Sequence, residues 1–232
     1  RRSPRRPDSC PERIRTALER AAEVACGNVP ELSGPVLLGL DVSGSMSSAV
    51  TGNRGAGGTS KMRCVDVAAL FAAALVRRNP NSVVIPFDTS AHQTKVGAKE
   101  TILGFAQRLS AYGGGGTNCA IPLQEANTRL KKEVFAGCII LSDNESWIGT
   151  GRGNSTLMMT EWERFVANQK KMGNPHPKLV CIDLQPYTTT QAPERADILN
   201  VGGFSDAVFG IVAGFLGNEV NRFVTEVEAM EV

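Results

Sequence analysis

The stretch Val36-Leu-Leu-Gly-Leu-Asp-Val-Ser-Gly-Ser-Met46 decides the fold of this chain. Its first five residues form a continuous apolar run, which is typical of a strand that is covered on both faces. The polar, glycine-containing stretch that follows marks the end of that strand. Similar strand patterns recur at residues 82–87, 137–141 and 178–184. Helical patterns lie between them, and this alternation predicts an α/β fold on a mostly parallel central sheet with helices on both faces.

Six helices are predicted from apolar residues at three- and four-residue spacing. One of them has Pro122 in its first turn, a position that proline favours. A short antiparallel strand at the edge of the sheet is predicted at residues 92–96. The predicted helices cover residues 12–26, 62–76, 101–109, 119–130, 160–172 and 205–223.

The charge of the chain is unevenly distributed. The 232 residues carry 25 basic and 23 acidic side chains, for a formal net charge of +2. Residues 1–20 hold seven arginines and three acids, an excess of +4, so the remaining 212 residues sum to −2. This distribution disfavours a wholly basic nucleic-acid-binding domain. We expect a basic flexible arm at 1–11, a helix and connector at 12–33, and one domain at 34–232.

The apolar segments and the cysteines indicate a cytoplasmic protein. The longest apolar stretch, residues 207–216, is much shorter than the roughly 20 residues of a membrane span. The N-terminus starts with Arg1 and has no apolar core of a signal peptide, so we expect a fragment or a processed product. The six cysteines have no zinc-site spacing. Four of them lie in apolar segments as expected for buried free thiols, and a Cys10–Cys26 bridge remains open.

Polar side chains follow three of the predicted elements. Asp41, Ser43 and Ser45 follow the first strand, Thr117 follows four glycines, and Asp143 follows the strand at 137–141. The carboxyl ends of parallel strands meet at one edge of a sheet, where ligands bind in such folds. Magnesium prefers six oxygen ligands in near-octahedral geometry. The sequence therefore predicts a site for Mg²⁺ (or Mn²⁺) with at least one position open to water or a ligand oxygen.

These three pieces resemble the metal-ion-dependent adhesion site (MIDAS) of von Willebrand factor A (vWA) domains. The pattern is Asp-x-Ser-x-Ser, then Gly-Gly-Thr, then Ser-Asp, and the resemblance covers about residues 34–220. It implies a Rossmann-like vWA fold and a metal held by Ser43, Ser45 and Thr117. Asp41 and Asp143 would bind the metal partly through water. A carboxylate from a protein partner would complete the coordination.

A narrower resemblance is to Ro ribonucleoproteins, the TROVE family. Ser142-Asp-Asn-Glu-Ser-Trp147, Gly115-Gly-Thr-Asn-Cys119 and Ile198-Leu-Asn-Val-Gly-Gly-Phe204 are similar to elements of those proteins. The chain thus resembles the vWA domain of a bacterial Ro-like protein. The resemblance implies association with noncoding RNA, chiefly through helical repeats that precede this domain.

Asn144, Glu145 and Trp147, which follow Asp143 in the sequence, are candidates for the rim of a partner-binding site. Asn144 and Glu145 stand where integrin-type vWA domains usually have a glycine. Glu145 either reaches the metal or is a solvated loop acid. Trp147 contributes either to packing or to partner binding.

The sequence fits other functions less well than a binding module. An enzyme is not expected, because a phosphohydrolase using Asp41 as nucleophile lacks a second acid two residues on, where Ser43 stands. His92 and His176 are not placed to activate Ser43. The glycine-rich residues 51–61 do not match a phosphate loop, since Lys61 precedes Met62 rather than Ser or Thr. Direct RNA binding by the arm and loops, and service in an ATPase assembly, remain alternatives.

Overall fold

The computed structural model describes residues 11–51, 61–97, 99–143, 157–186 and 191–217. These residues form six α-helices and five strands. The helices are α1 (Glu12–Ala25), α2 (Cys64–Arg78), α3 (Ile102–Leu109), α4 (Ile121–Thr128), α5 (Leu157–Lys171) and α6 (Ala207–Leu216). The strands are β1 (Val36–Asp41), β2 (Val83–Phe87), β3 (Gly137–Ser142), β4 (Lys178–Asp183) and β5 (Ile198–Gly202).

The five strands form one sheet in the order β2-β1-β3-β4-β5, and every pairing between them is parallel. The strand order reverses direction at β1, which lies between β2 and β3. Such a reversal opens a crevice at the carboxyl ends of the strands. β1 and β3 are buried at every position, as their continuous apolar sequences predict.

Helices cover both faces of the sheet and create two cores. On one face α2 packs against β1, α3 against α2, and α6 against β4, and this core holds Ala68 and Leu75 together with Leu38. On the other face α4 packs against β1 and β2, and α5 packs against α4; the fully buried Trp162 lies in this second core with Ile140. The predicted α/β architecture with helices on both faces is therefore confirmed.

Gly39 allows the start of α4 to approach the middle of β1. A Cβ atom at this position would lie 2.5 Å from Cγ of Pro122 and 2.7 Å from Cδ1 of Ile140. Contacts that short do not occur between carbon atoms, so only glycine fits without movement. The close approach brings the residues just before α4, including Thr117, to the end of β1.

The predicted antiparallel strand at residues 92–96 is wrong. Within the described residues, the chain after β2 has an isolated antiparallel bridge between Phe87 and Ala91 and a hydrogen bond of 2.8 Å from the His92 N–H to the Pro86 carbonyl, but residues 92–96 form no strand. Pro86 has no N–H, so the outer side of β2 cannot donate at this position. A regular ladder along this edge is therefore interrupted.

Two further elements differ from expectation. β5 was not predicted, because Asn200 and Gly202 interrupt its apolar residues. The helix predicted at 119–130 is shorter, and the Asn118 side chain accepts a hydrogen bond of 3.1 Å from Ala120 N–H in the turn before α4. The last predicted helix is observed as α6, and its expected end at 223 lies outside the described residues.

The N-terminal helix is confirmed, although it buries no side chain. Glu23 fixes it to the domain by accepting hydrogen bonds from Arg77 (3.1 Å) and from Ile102 N–H (3.0 Å). Residues 1–10 of the predicted arm lie outside the described part of the chain.

The cysteines that the structure describes are buried free thiols. Cys26 is a free thiol that donates to the Ala74 carbonyl, and Cys10 lies outside the described residues. Within the described residues no helix has the length and apolar character needed to cross a bilayer. The other free cysteines are buried, as expected, at positions 64, 119, 138 and 181.

Candidate metal site

The predicted ligands lie at the carboxyl edge of the sheet. Asp41 is the last residue of β1, Asp143 follows β3 directly, and Thr117 precedes α4. Asp41 is 0% exposed, Thr117 1% and Asp143 4%. Polar side chains buried this deeply require hydrogen-bond or charge partners.

Three hydroxyl groups converge at this edge. Thr117 Oγ1 donates to Ser43 Oγ over 2.9 Å, and Ser43 Oγ lies 3.2 Å from Ser45 Oγ. Oxygens at neighbouring corners of a Mg²⁺ octahedron are about 3.0 Å apart, given metal–oxygen distances near 2.1 Å. The spacing of these hydroxyls therefore fits a shared hard cation.

Asp41 is held by two hydrogen-bond donors. Its Oδ1 accepts from Ser43 N–H over 2.8 Å, and its Oδ2 accepts from the Ser142 hydroxyl over 2.7 Å. Burial raises the pKa of Asp41 to about 6; these hydrogen bonds oppose the rise, and the charge of Asp143 adds to it. No described lysine or arginine forms an ion pair with Asp41. A bound cation would stabilise this buried carboxylate.

Asp143 adds a second negative charge to the same region. Its charge acts on Asp41 and also on Cys64, the first residue of α2. Burial and, to a lesser degree, the nearby Asp143 carboxylate raise the pKa of the Cys64 thiol to about 11. Two carboxyl groups of this kind disfavour each other's ionisation unless a cation lies between or beside them.

The glycine-rich loop before Thr117 is fastened to the loop after β1. Gly44 N–H donates to Gly115 O, and Gly114 N–H donates to Val42 O, both over 2.9 Å. Gly113 has φ = +84°, and a Cβ there would lie 2.1 Å from Val42 O. The two loops can approach this closely only because position 113 is glycine.

Asp88 was missed by sequence reasoning, although it positions the same loop. It follows β2, is 6% exposed, and accepts hydrogen bonds from Ser90 N–H (3.0 Å) and Gly115 N–H (3.3 Å). Burial raises its pKa, but these hydrogen bonds and the nearby His92 outweigh burial and hold the pKa below its ordinary value. His92 Nε2 lies 3.2 Å from Asp88 Oδ1, so this imidazole faces Asp88.

The signal for Asp88 was present in the sequence. Each of the four strands β1 to β4 ends on or is followed by an aspartate: Asp41, Asp88, Asp143 and Asp183. The carboxyl edge of the sheet is thus strongly acidic. Ser142, whose hydroxyl holds Asp41, was likewise not identified as a site residue.

The described part of the chain contains no cluster of three or more His, Cys, Asp or Glu side chains able to hold a metal. A cation at this edge therefore depends on the hydroxyls of Ser43, Ser45 and Thr117. The proposed rim residues Asn144, Glu145 and Trp147 lie outside the described residues, as do residues 52–60 of the glycine-rich stretch.

A doubly covered parallel sheet with this five-residue pattern at its carboxyl edge defines the chain as a vWA domain. Residues 35–216 match the family model of the Ro60 vWA domain. The chain belongs to this family.

Relatives from two distant organisms carry the same family name. The chain is 31% identical over 211 residues to the RNA-binding protein RO60 of Deinococcus radiodurans, covering 90% of this chain and 36% of that protein. It is 27% identical over 211 residues to the RNA-binding protein RO60 of Caenorhabditis elegans, covering 90% and 30%. The chain thus spans about a third of the length of these relatives.

A solved structure supports the same conclusion. The crystal structure of the Deinococcus radiodurans RO (RSR) protein superposes with a TM-score of 0.69 at 25% sequence identity. The superposition covers 90% of this chain and 39% of that one.

Proposed function

We propose that this chain is the metal-dependent protein-binding module of a Ro-family, RNA-associated protein. Ser43, Ser45 and Thr117 would hold Mg²⁺ (or Mn²⁺) directly, and Asp41 and Asp143 would bind the metal partly through water. The observation that carries the proposal is the contact of Ser43 Oγ with Thr117 Oγ1 at 2.9 Å and with Ser45 Oγ at 3.2 Å, next to the buried Asp41 that accepts from Ser43 N–H.

The donor set favours a hard divalent cation. All five side chains offer oxygen, which Mg²⁺ and Mn²⁺ prefer over the nitrogen and sulfur ligands of zinc. Two of the five are carboxylates, so a doubly charged ion balances their charge. The five do not fill all six octahedral positions, and a coordination position is left for a ligand.

The open position would face solvent on the side of Ser45. Ser45 is half-buried and Gly44 is exposed, whereas Ser43 and Thr117 are buried. A carboxylate from a partner protein reaching this side would bind the metal as an oxygen ligand. The bond would be directional and would disappear when the metal is chelated.

The proposed association with RNA is based on the relatives of this chain. The names of the Deinococcus and Caenorhabditis proteins attribute RNA binding to chains about three times as long as this one. We therefore propose that noncoding RNA binds the full protein mainly outside this domain, and that the metal site recruits a protein partner.

The test uses a fluorescent peptide that contains one glutamate, titrated with the protein in Mg²⁺ and in EDTA. Wild-type protein should bind only with metal, and Asp41→Asn should abolish binding. Asp183→Asn is the matched control, because it removes a carboxylate from the end of β4, a strand of the same sheet that does not pair with β1, and should retain binding. Binding that persists in EDTA would overturn the proposed mechanism.

A further inference from the structure

We propose that the edge of the sheet opposite the metal site carries a docking surface for the phosphodiester backbone of RNA. The surface consists of two pairs of adjacent lysines, Lys131–Lys132 and Lys170–Lys171, and is called the dilysine face below. It lies where the strands begin, whereas the metal site lies where they end.

A buried glutamine joins the two segments that carry the lysine pairs. Gln169, 3% exposed, lies directly before Lys170 on α5. Its Oε1 accepts from Phe135 N–H over 2.9 Å, and its Nε2 donates to the Glu133 carbonyl over 3.0 Å. The segment that begins with Lys131 and Lys132 is thereby fastened to the last turn of α5, which ends in Lys170 and Lys171.

A second link fixes the segment that follows α5. The Asn174 side chain donates to the Phe135 carbonyl over 2.7 Å and accepts from His176 N–H over 3.2 Å. His176 lines two surface clefts of about 340 and 430 Å³, one also lined by Lys170 and the other by Val134. The dilysine face is therefore a fixed, contoured surface.

The four lysines are available to an external anion. All four are exposed, and none forms an ion pair with another described residue. The nearby arginines differ, because Arg129 is bonded to Glu125 over 2.7 Å and Arg195 to Asp197 over 2.9 Å. The free positive charge of this edge thus belongs to the lysines.

The opposite edge determines how a polyanion approaches. Asp41, Asp88, Asp143 and Asp183 lie at the carboxyl ends of the strands, about 20 Å from the strand starts for a six-residue strand. A polyanion is repelled from that edge and attracted to the dilysine face. The segregation of charge along the strands would orient a bound polyanion.

The residue type favours phosphate over protein carboxylate. Lysine ammonium groups bind phosphates as compact point charges, whereas the planar arginine fork, which reads carboxylates in pairs, is already occupied here. Two pairs of point charges on one face suit the repeated charges of a nucleic-acid backbone. Such contacts position RNA without reading its sequence.

The experiment measures fluorescence anisotropy of a labelled single-stranded RNA of roughly 20 nucleotides in EDTA, at salt from about 50 to 200 mM. The full chain is compared with K131Q/K132Q, K170Q/K171Q and the matched control K95Q/K99Q. That control removes two exposed lysines elsewhere, and every variant keeps the N-terminal arginines. Thermal unfolding verifies that each variant is folded.

Each dilysine variant should weaken RNA binding on the order of 10-fold at about 0.1 M salt and lower the salt slope by about 1.4. The control should bind like the wild type, and polyglutamate should compete poorly. The proposal is overturned if the dilysine variants bind like the control, or if polyglutamate displaces RNA at equal charge concentration. Because the assay contains EDTA, failure of the metal site would not affect the result.

Discussion

The carboxylate of Asp88 and the backbone N–H of Gly115 form a hydrogen bond of 3.3 Å that joins the end of β2 to the loop carrying Thr117. The backbone carbonyl of Asp88 also accepts from Asn118 N–H over 3.1 Å, so the loop is held on both sides of Thr117. Asp88 thus positions a proposed metal ligand from a strand that contributes no ligand itself.

Asp88→Ala is expected to weaken Mg²⁺ binding about 10-fold, the range found for residues that orient metal ligands. The Thr117 hydroxyl would no longer be fixed beside Ser43. Isothermal titration calorimetry measures the affinity. Ser90→Ala is the control, because the Ser90 backbone N–H still donates to Asp88 and only the weaker hydroxyl contact of 3.3 Å is lost. Equal affinity of Asp88→Ala and wild type would contradict the positioning role.

The metal-free protein should lose stability as the pH rises from about 4 to about 6. Burial raises the folded-state pKa of Asp41 from 3.8 to about 6, against the hydrogen bonds from Ser142 and Ser43. A carboxyl with a raised folded pKa favours folding while protonated, so its contribution is full below the unfolded pKa and is lost as the pH passes the folded pKa.

Urea unfolding in EDTA, compared between wild type and Asp41→Asn, measures this effect. The free energy of unfolding of the wild type relative to the variant should fall by on the order of 3 kcal/mol across that pH window. Mg²⁺ at pH 7 should restore stability to the wild type alone. A difference that does not vary with pH would show that Asp41 is not destabilised by burial.

Gly113→Ala should destabilise the domain by about 1–3 kcal/mol or more, because a Cβ would meet the Val42 carbonyl and a positive φ disfavours alanine. Gly114→Ala is the matched control: its φ is +113°, but nothing lies within 4 Å of an added Cβ. Urea unfolding should rank Gly113→Ala clearly below Gly114→Ala. If the two variants are equally stable, the close contact between the loops does not affect the stability of the domain.

Local patterns made most of the fold predictable. The apolar runs at β1 and β3 are buried on both faces, and their sequences alone indicate this. The segment after β2 carries a strand-like pattern, but Pro86 removes the N–H that a ladder would need. β5 was not recognised because Asn200 and Gly202 break its apolar run, while its pairing with β4 depends on tertiary contacts.

The site residues were predictable only where a compact motif carries them. Asp41, Ser43 and Ser45 lie within five residues, and Thr117 and Asp143 have short signatures of their own. Asp88 and Ser142 act through partners far away in the chain, Gly115 and Asp41 respectively. Gln169 likewise bonds residues 34 and 36 positions away, so its role follows only from the folded structure.

The most direct test of the central claim is calorimetric titration of the metal-free chain with Mg²⁺, comparing wild type with Thr117→Val. This substitution keeps the shape of the side chain and removes the hydroxyl that bonds Ser43. Thr128→Val is the control, since it removes an exposed hydroxyl on α4. One Mg²⁺ should bind per wild-type or Thr128→Val chain, and Thr117→Val should lose affinity on the order of 100-fold. Wild-type protein that binds no Mg²⁺, or a Thr117→Val variant that binds it as tightly as wild type, would contradict the metal site.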